Sequence, residues 1–196
     1  MSSDERCGLD ELRGVRVAIL VEQLYQEMEL WYPLYRLREA GAETVLVGPK
    51  ADQTYESKHG YPARSELSSA DAHAQAFDAV VIPGGYAPDH LRRDAKLVEF
   101  VRDMDTQGKV VAAICHAGWM LVSAGILRGR RATCFRSIRD DVAAAGAIYE
   151  DSPVVKDGNL ITSRQPDDLP AFAAAIVEAL LAAREAGRAS HAAADK

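Results

Sequence analysis

A cysteine followed directly by a histidine, Cys115-His116, stands between the apolar run 109–114 and a stretch of helical character that ends at Gly125. Thiolate is among the stronger nucleophiles a protein can offer near neutral pH, and histidine is the usual carrier of the accompanying proton. A thiol at a strand-to-helix junction faces unpaired N–H groups and the positive end of a helix dipole, so this position predicts a lowered Cys115 pKa. Ala113 and Ala117, two positions away on each side, supply the small neighbours of a nucleophile elbow of the Gly-x-Ser-x-Gly kind. Successive helical residues diverge by about a hundred degrees, so whether the His116 imidazole reaches the sulfur depends on how far the junction departs from a regular helix. Free cysteines are more often plain core residues. Cys134, with neither a histidine nor a helix start beside it, is read that way, and Cys7 as an exposed tail thiol.

Two further segments could serve the same chemistry. Pro83-Gly84-Gly85 ends the preceding apolar run, and two glycines let the backbone turn closely enough to offer N–H groups to a bound oxygen. Gly84, Gly85 and the backbone of His116 are therefore the candidate oxyanion donors. Glu22, Glu27 and Glu29 lie in or just beyond the loop after the first strand. A carboxyl group from there could lean on Cys115 and set its ionisation, or simply favour a helix amino terminus. His59, in the Lys58-His-Gly turn, either edges the pocket or a subunit contact or is solvated; His73 and His90 read as surface residues. Asp167 and Asp168, beside Arg164, read as caps of the last helix. No histidine–carboxylate set has the close spacing of a metal site, and no cofactor is expected.

The elements that must position these residues alternate. Residues 15–21 form a short apolar strand, and 27–40 a helix with Leu30, Trp31, Leu34 and Leu37 at helical spacing. A strand at 44–47 and an irregular hairpin at 55–67 follow, then a buried strand at 77–82. An amphipathic helix at 95–105 carries Val98, Val101 and Met104, and leads to the strand 109–114 and the helix 116–124. The remainder reads as a strand at 132–135, a helix at 138–145, two short strands around Asp157-Gly158, and a helix at 169–184 with Phe172, Ile176 and Leu180 inward. Such alternation predicts an α/β, flavodoxin-like three-layer sandwich with a mostly parallel central sheet. Its sites should lie at the carboxyl ends of the strands, in the loops after Val21, Ile82 and Ile114. One domain at 14–185 is expected between flexible tails at 1–13 and 186–196.

The 196 residues, 48% hydrophobic, suffice for one core that needs no disulfide or metal staple. With 23 basic against 29 acidic residues and a formal net charge of -6, neither nucleic acid nor an anionic membrane is an expected partner. No run approaches the roughly 20 apolar residues of a membrane span, and the start of the chain lacks a hydrophobic signal core. Three cysteines are too few and too scattered for a disulfide framework, which points to the cytoplasm.

Seven motifs in order then carry a resemblance: Glu27-Met-Glu-Leu-Trp-Tyr-Pro33, Lys58-His-Gly-Tyr61, Ile82-Pro-Gly-Gly-Tyr-Ala-Pro-Asp89, Ala113-Ile-Cys-His-Ala117, Ser123-Ala-Gly-Ile-Leu-Arg-Gly-Arg130, Ile138-Arg-Asp-Asp141 and Asp157-Gly-Asn-Leu-Ile-Thr-Ser-Arg164. Together, over about 15–181, they resemble the PfpI family, within the wider superfamily of the parkinsonism-associated deglycase. The resemblance implies Cys115 as nucleophile, His116 as its base partner, and Glu29 as a protonated glutamate hydrogen-bonded to the thiolate. Asp89 falls where intracellular proteases of the family carry a glutamate that reaches the histidine across a subunit interface, and Tyr86, at the pocket edge, stands where an arginine is frequent. The family's fold is the same sandwich, and its members form dimers or hexamers.

The resemblance also implies a stress-associated, cysteine-dependent enzyme acting on methylglyoxal, glyoxal or their glycation adducts on proteins. Its partners are then small carbonyl compounds, glycated or unfolded proteins and further copies of the chain. An intracellular cysteine peptidase is the alternative, and a non-enzymatic oxidative-stress sensor or chaperone working through Cys115 is a second. A glutamine amidotransferase is set aside because the only late histidine, His191, lacks a His-x-Glu partner. Nothing resembles a helix-turn-helix extension.

Overall fold

A computed structural model of the chain describes residues 10–194. The first apolar run is strand β1 (Arg16–Leu20), followed by helix α1 (Glu27–Glu39) and strand β2 (Glu43–Gly48). A hairpin, β3 (Thr54–Glu56) and β4 (Pro62–Arg64), and a short strand β5 (Leu67–Ser68) come next. Strand β6 (Ala79–Ile82) leads to α2 (Ala87–Leu91) and α3 (Ala95–Thr106), and β7 (Val110–Ile114) leads to α4 (Gly118–Ala124) through a single 3-10 turn at Cys115–Ala117. The chain finishes with β8 (Arg131–Ala132), α5 (Arg139–Ala144), β9 (Ile148–Tyr149), β10 (Val154–Asp157), β11 (Leu160–Ser163) and α6 (Leu169–Ala194).

Seven strands make one sheet in the order β10-β11-β7-β6-β1-β2-β5, parallel at every junction except β10 with β11. Parallel strands need crossovers, and these supply the covering layers: α1 packs with α6 over one face, α3 and α4 over the other. The fold is the mostly parallel flavodoxin-like sandwich expected from the alternation. Burial on both faces explains why β6 and β7 read as unbroken apolar runs, since all four residues of β6 and all five of β7 are buried. In α6, Phe172, Ile176 and Leu180 lie inward as their spacing requires. No helix among the described residues is long and apolar enough to cross a membrane.

Several expectations need correction. The inward face of α3 is Leu97, Phe100, Val101 and Met104, while Val98 is only partly buried. Trp31 likewise stands at the edge of the core, unlike Leu30, Leu34 and Leu37. The strand expected at 132–135 shrinks to β8, two residues that pair with β9 in a separate ribbon. Residues 10–13 do not belong to a free tail: Leu12 is fully buried and its N–H donates to the Ala40 carbonyl. At the other end α6 continues to Ala194, because a segment rich in alanine, the best helix former, extends a helix already anchored by packing. The expected tail thiol, Cys7, lies outside the described residues.

Candidate active site

Register places the site. Ile19 pairs with Val81, Ile82 with Ala113, and Ile114 with Ser163, so the carboxyl ends of four neighbouring strands are level. The chain leaves β7 at Cys115 with φ of 62°, a left-handed conformation that costs a non-glycine residue about 1–2 kcal/mol. That turn is the elbow expected from the flanking alanines, and it explains their size: Ala113 and Ala117 are both buried. Gly118, at the head of α4, is equally constrained, since a Cβ there would lie 3.0 Å from both Ile138 and Val142.

Glu29 enters from the first turn of α1, where the Gln26 side chain caps the helix by accepting the Glu29 N–H at 3.0 Å. Its carboxyl group is completely buried. Oε2 accepts the N–H of Gly84 at 2.7 Å, and Oε1 has no hydrogen-bond partner among protein donors. Burial raises the Glu29 pKa to about 7 against the pull of the Gly84 N–H and of Lys58. Of the three glutamates in this segment, only Glu29 reaches the cysteine. Glu27 pairs with His59, and Glu22 accepts the N–H of Gln23.

The two glycines are needed for different reasons. A Cβ on Gly84 would lie 2.6 Å from Glu29 Oε2 and 2.7 Å from the Cys115 Cβ. Gly85 has φ of 79°, and a Cβ there would meet the Leu24 carbonyl at 2.5 Å. Both were expected to offer N–H groups to an oxyanion, but that of Gly84 is committed to Glu29. The N–H groups of Gly85 and His116 are the ones directed at the Cys115 sulfur.

The expectation that position alone lowers the Cys115 pKa needs correction. The thiol is only 6% exposed; burial pushes it up, and an ionised Glu29 pushes it further, outweighing the N–H groups of Gly85 and His116. Cys134 is also buried, and its thiol is pushed up to about 12.

The distorted elbow does bring the imidazole to the sulfur: His116 Nδ1 lies 3.2 Å from Cys115 Sγ. The ring stacks on Phe135 at 4.9 Å between centroids and meets the edge of Trp119 at 5.5 Å. Burial, then the nearby charge of Lys58, lowers the His116 pKa, so the ring is neutral near pH 7. Its Nε2 lies 3.2 Å from Ser137 Oγ.

Gln26, Glu29, Lys58, Gly85, Tyr86, Cys115, His116, Phe135 and Pro166 line a pocket of about 360 Å³. Tyr86 thus stands at the edge, with the Lys58 ammonium 5.8 Å from its ring centroid. His59 does not line it; its exposed imidazole bonds Glu27 instead. Asp89 lies exposed on α2, and its carboxylate makes no hydrogen bond or ion pair with any described residue. Lys58, Phe135 and Ser137 were not singled out from the sequence. Lys58 could have been, as the cation of the quoted Lys58-His-Gly-Tyr61 motif. No three His, Cys, Asp or Glu side chains among the described residues could together hold a metal ion.

Residues 15–179 match the model of the DJ-1/PfpI family. "Deglycase PfpI" of Pyrococcus furiosus is 40% identical over 166 residues, 85% of this chain and 99% of that protein. A Bacillus subtilis relative with the provisional name of cysteine protease YraA is 39% identical over 157 residues, 80% of this chain and 93% of the relative. Among solved structures, an Anabaena variabilis protein with DJ-1/ThiJ/PfpI-like and ferritin-like domains superposes with a TM-score of 0.83 at 44% identity. The match covers 85% of this chain and 48% of that two-domain one. The family match and the sequence identities agree: this chain belongs to the DJ-1/PfpI family.

Proposed function

We propose that the protein is a stress-associated, cysteine-dependent enzyme that acts on reactive carbonyls such as methylglyoxal, or on their early adducts with proteins. The observation that carries this reading is the left-handed Cys115 elbow, which holds one sulfur against the N–H groups of Gly85 and His116 and against Glu29. The deglycase name of a relative matched over nearly its whole length supports the substrate class.

Glu29 and Cys115 together hold one proton too many for two anions. With the proton on Glu29, at the oxygen that lacks a donor, the carboxylic acid donates to the sulfur and the thiolate keeps two backbone N–H bonds. Sulfur adds to the carbonyl carbon, forming the C–S bond while the π pair moves to oxygen. As charge leaves sulfur, the same N–H groups serve the new oxyanion. His116, neutral and in contact with the sulfur, takes the proton from the carbon bonded to sulfur to give an enediol and returns it to the neighbouring carbon. The hydroxyl proton passes from the first oxygen to the second, so the aldehyde carbon ends as a thioester and the ketone carbon as an alcohol. Water then releases a hydroxy acid and the thiol, so methylglyoxal plus water becomes lactate without a redox cofactor.

The pocket volume suits a three-carbon substrate or the end of a modified side chain. Assembly belongs to the same reading. Met28, Tyr32, Tyr35 and Tyr61 are exposed around a shallow groove of about 470 Å³ beside α1, and a contiguous apolar face of this kind fits a second copy of the chain. Asp89, unpartnered here, is then free to reach a neighbour's site. A cytoplasmic location accords with Cys115 and Cys134 being free thiols.

The test compares wild type with Cys115→Ser for lactate formation from methylglyoxal and for cleavage of fluorogenic peptides. Lactate formation present in wild type and lost in the variant supports the proposal. Peptide cleavage alone supports the peptidase reading suggested by the Bacillus relative's name. Neither activity, with selective oxidation of Cys115 by mild peroxide, supports the sensor reading.

A further inference from the structure

We infer that Ser137 is the positioning residue of His116, supplied within the same chain and selecting the ring tautomer that leaves Nδ1 free to accept a proton. This rests on the reading above for its chemistry, but the contact itself is independent of the substrate. Ser137 follows Phe135 and Arg136 in the short 3-10 turn at Arg136–Ile138, and the Phe135 N–H donates to the Cys115 carbonyl at 3.1 Å. That bond ties the turn to the elbow. Phe135 then stacks under the imidazole, while Ser137 meets its far nitrogen at 3.2 Å.

A neutral imidazole has one N–H and one lone pair. Among the described residues, Ser137 supplies the side-chain contact of Nε2, and Cys115 that of Nδ1. If the Ser137 oxygen accepts the Nε2 proton, the Nδ1 lone pair faces Sγ, where it accepts from the neutral thiol. Once the sulfur's charge is spent in the C–S bond, that lone pair is free to take the substrate's proton, the arrangement a base requires. A hydroxyl differs from the usual carboxylate in one consequential way: it orients the ring without adding charge, so it does not raise the ring's basicity. The lowered His116 pKa agrees with that. The other charged or titratable groups lining the pocket with the ring are Lys58 from the hairpin turn, Tyr86 at the edge, and Glu29 and Cys115 on the sulfur side. Asp141 accepts the Trp119 Nε1–H at 2.8 Å and so braces the edge-on indole.

The test uses the full chain as wild type, Ser137→Ala, Ser137→Thr and Ser137→Asp. Ser137 is exposed on a surface turn, so all four should fold alike, and urea unfolding checks this. The direct reading is the 15N shift pair of the His116 ring at pH 7.5, which reports the tautomer with or without any substrate. Wild type and Ser137→Thr should show predominantly Nε2–H, and Ser137→Ala a mixture. In Ser137→Asp the ring pKa should rise by about one pH unit from the added carboxylate. With methylglyoxal, Ser137→Ala should lower kcat about tenfold at unchanged KM, and Ser137→Thr should restore it. An unchanged tautomer in Ser137→Ala overturns the inference, as does an unshifted ring pKa in Ser137→Asp. Absence of aldehyde turnover in the wild type, with the tautomer shift still present, would fault the proposed function and leave the positioning role intact.

Discussion

Glu29 Oε2 accepts the N–H of Gly84 at 2.7 Å, which joins the first turn of α1 to the loop after β6 immediately beside the nucleophile. This bond uses one carboxyl oxygen and leaves the other without a protein donor, on a side chain that is fully buried. A carboxylate is poorly served there, whereas a carboxylic acid needs only one acceptor for its proton. In the proposed reaction the Cys115 sulfur is that acceptor, and the elbow, the two glycines and the buried acid act together to keep charge on sulfur.

The buried acid makes stability depend on pH. The Glu29–Cys115 pair gives up its first proton at about 7 in the folded protein, against 4.5 for the glutamate in the unfolded chain. Between these values the folded state binds more protons, so stability falls as pH rises, by roughly 3 kcal/mol in all for such a difference. Glu29→Gln keeps a donor toward sulfur and an acceptor for Gly84 but cannot ionise. Urea unfolding should therefore show the variant gaining on wild type from pH 5 to pH 8. Parallel stability curves would contradict the raised pKa.

Gly84→Ala should abolish the site while sparing the fold. The new methyl group would press on Glu29 Oε2, on the Cys115 Cβ and on the backbone nitrogen of His116. A displacement of about 1 Å at a reacting group lowers rates by about 100-fold, and overpacking costs about 1–3 kcal/mol. Turnover of methylglyoxal and urea unfolding measure the two effects. Retention of full activity would mean that the close approach of Gly84 is unimportant.

Cys134 should be inert where Cys115 is reactive. Both thiols are buried and both are pushed up by burial, but Cys134 has no carboxylic acid beside it to donate to a thiolate. Brief iodoacetamide treatment at pH 7.5 followed by peptide mass spectrometry, in a Cys7→Ser background, should find the label on Cys115. Equal labelling of Cys134 would indicate that Glu29 does not activate Cys115.

The aromatic face beside α1 should hold copies of the chain together. Trp31 stacks on Tyr35 at 5.7 Å and meets Tyr61 edge-on at the same distance, leaving both tyrosines more than half exposed. Tyr35→Glu places a charge in that patch and should reduce the mass measured by light scattering to that of one chain. An unchanged oligomer would place the contact elsewhere.

The strands and the elbow were legible in the sequence because both are local. Apolar runs of strand length, and small residues flanking Cys115, record burial and close packing at neighbouring positions. The use made of Gly84 was not legible, since its N–H direction depends on a carboxyl group 55 positions away. Ser137 was missed for the same reason: a serine in a short turn has no signature, and its contact with His116 spans 21 positions. The thiol's environment was misjudged because a helix start can be read from pattern, whereas desolvation depends on everything packed around it. Asp89 was placed by analogy across a subunit interface, a contact that one chain alone does not contain.

The most direct measurement of the shared proton is the pH dependence of iodoacetamide alkylation of Cys115, in a Cys7→Ser background, with and without Glu29→Leu. With Glu29 present, the rate should reach half its maximum below the roughly 8.5 of a free thiol, because the first proton the pair loses leaves from sulfur while Glu29 keeps its own. Removing the acid should move that midpoint above 8.5, because the sulfur then loses its donor and keeps its burial. If Glu29→Leu instead reacts faster at neutral pH, the carboxylate only repels the thiolate, and the account of Cys115 as a nucleophile activated by Glu29 is wrong.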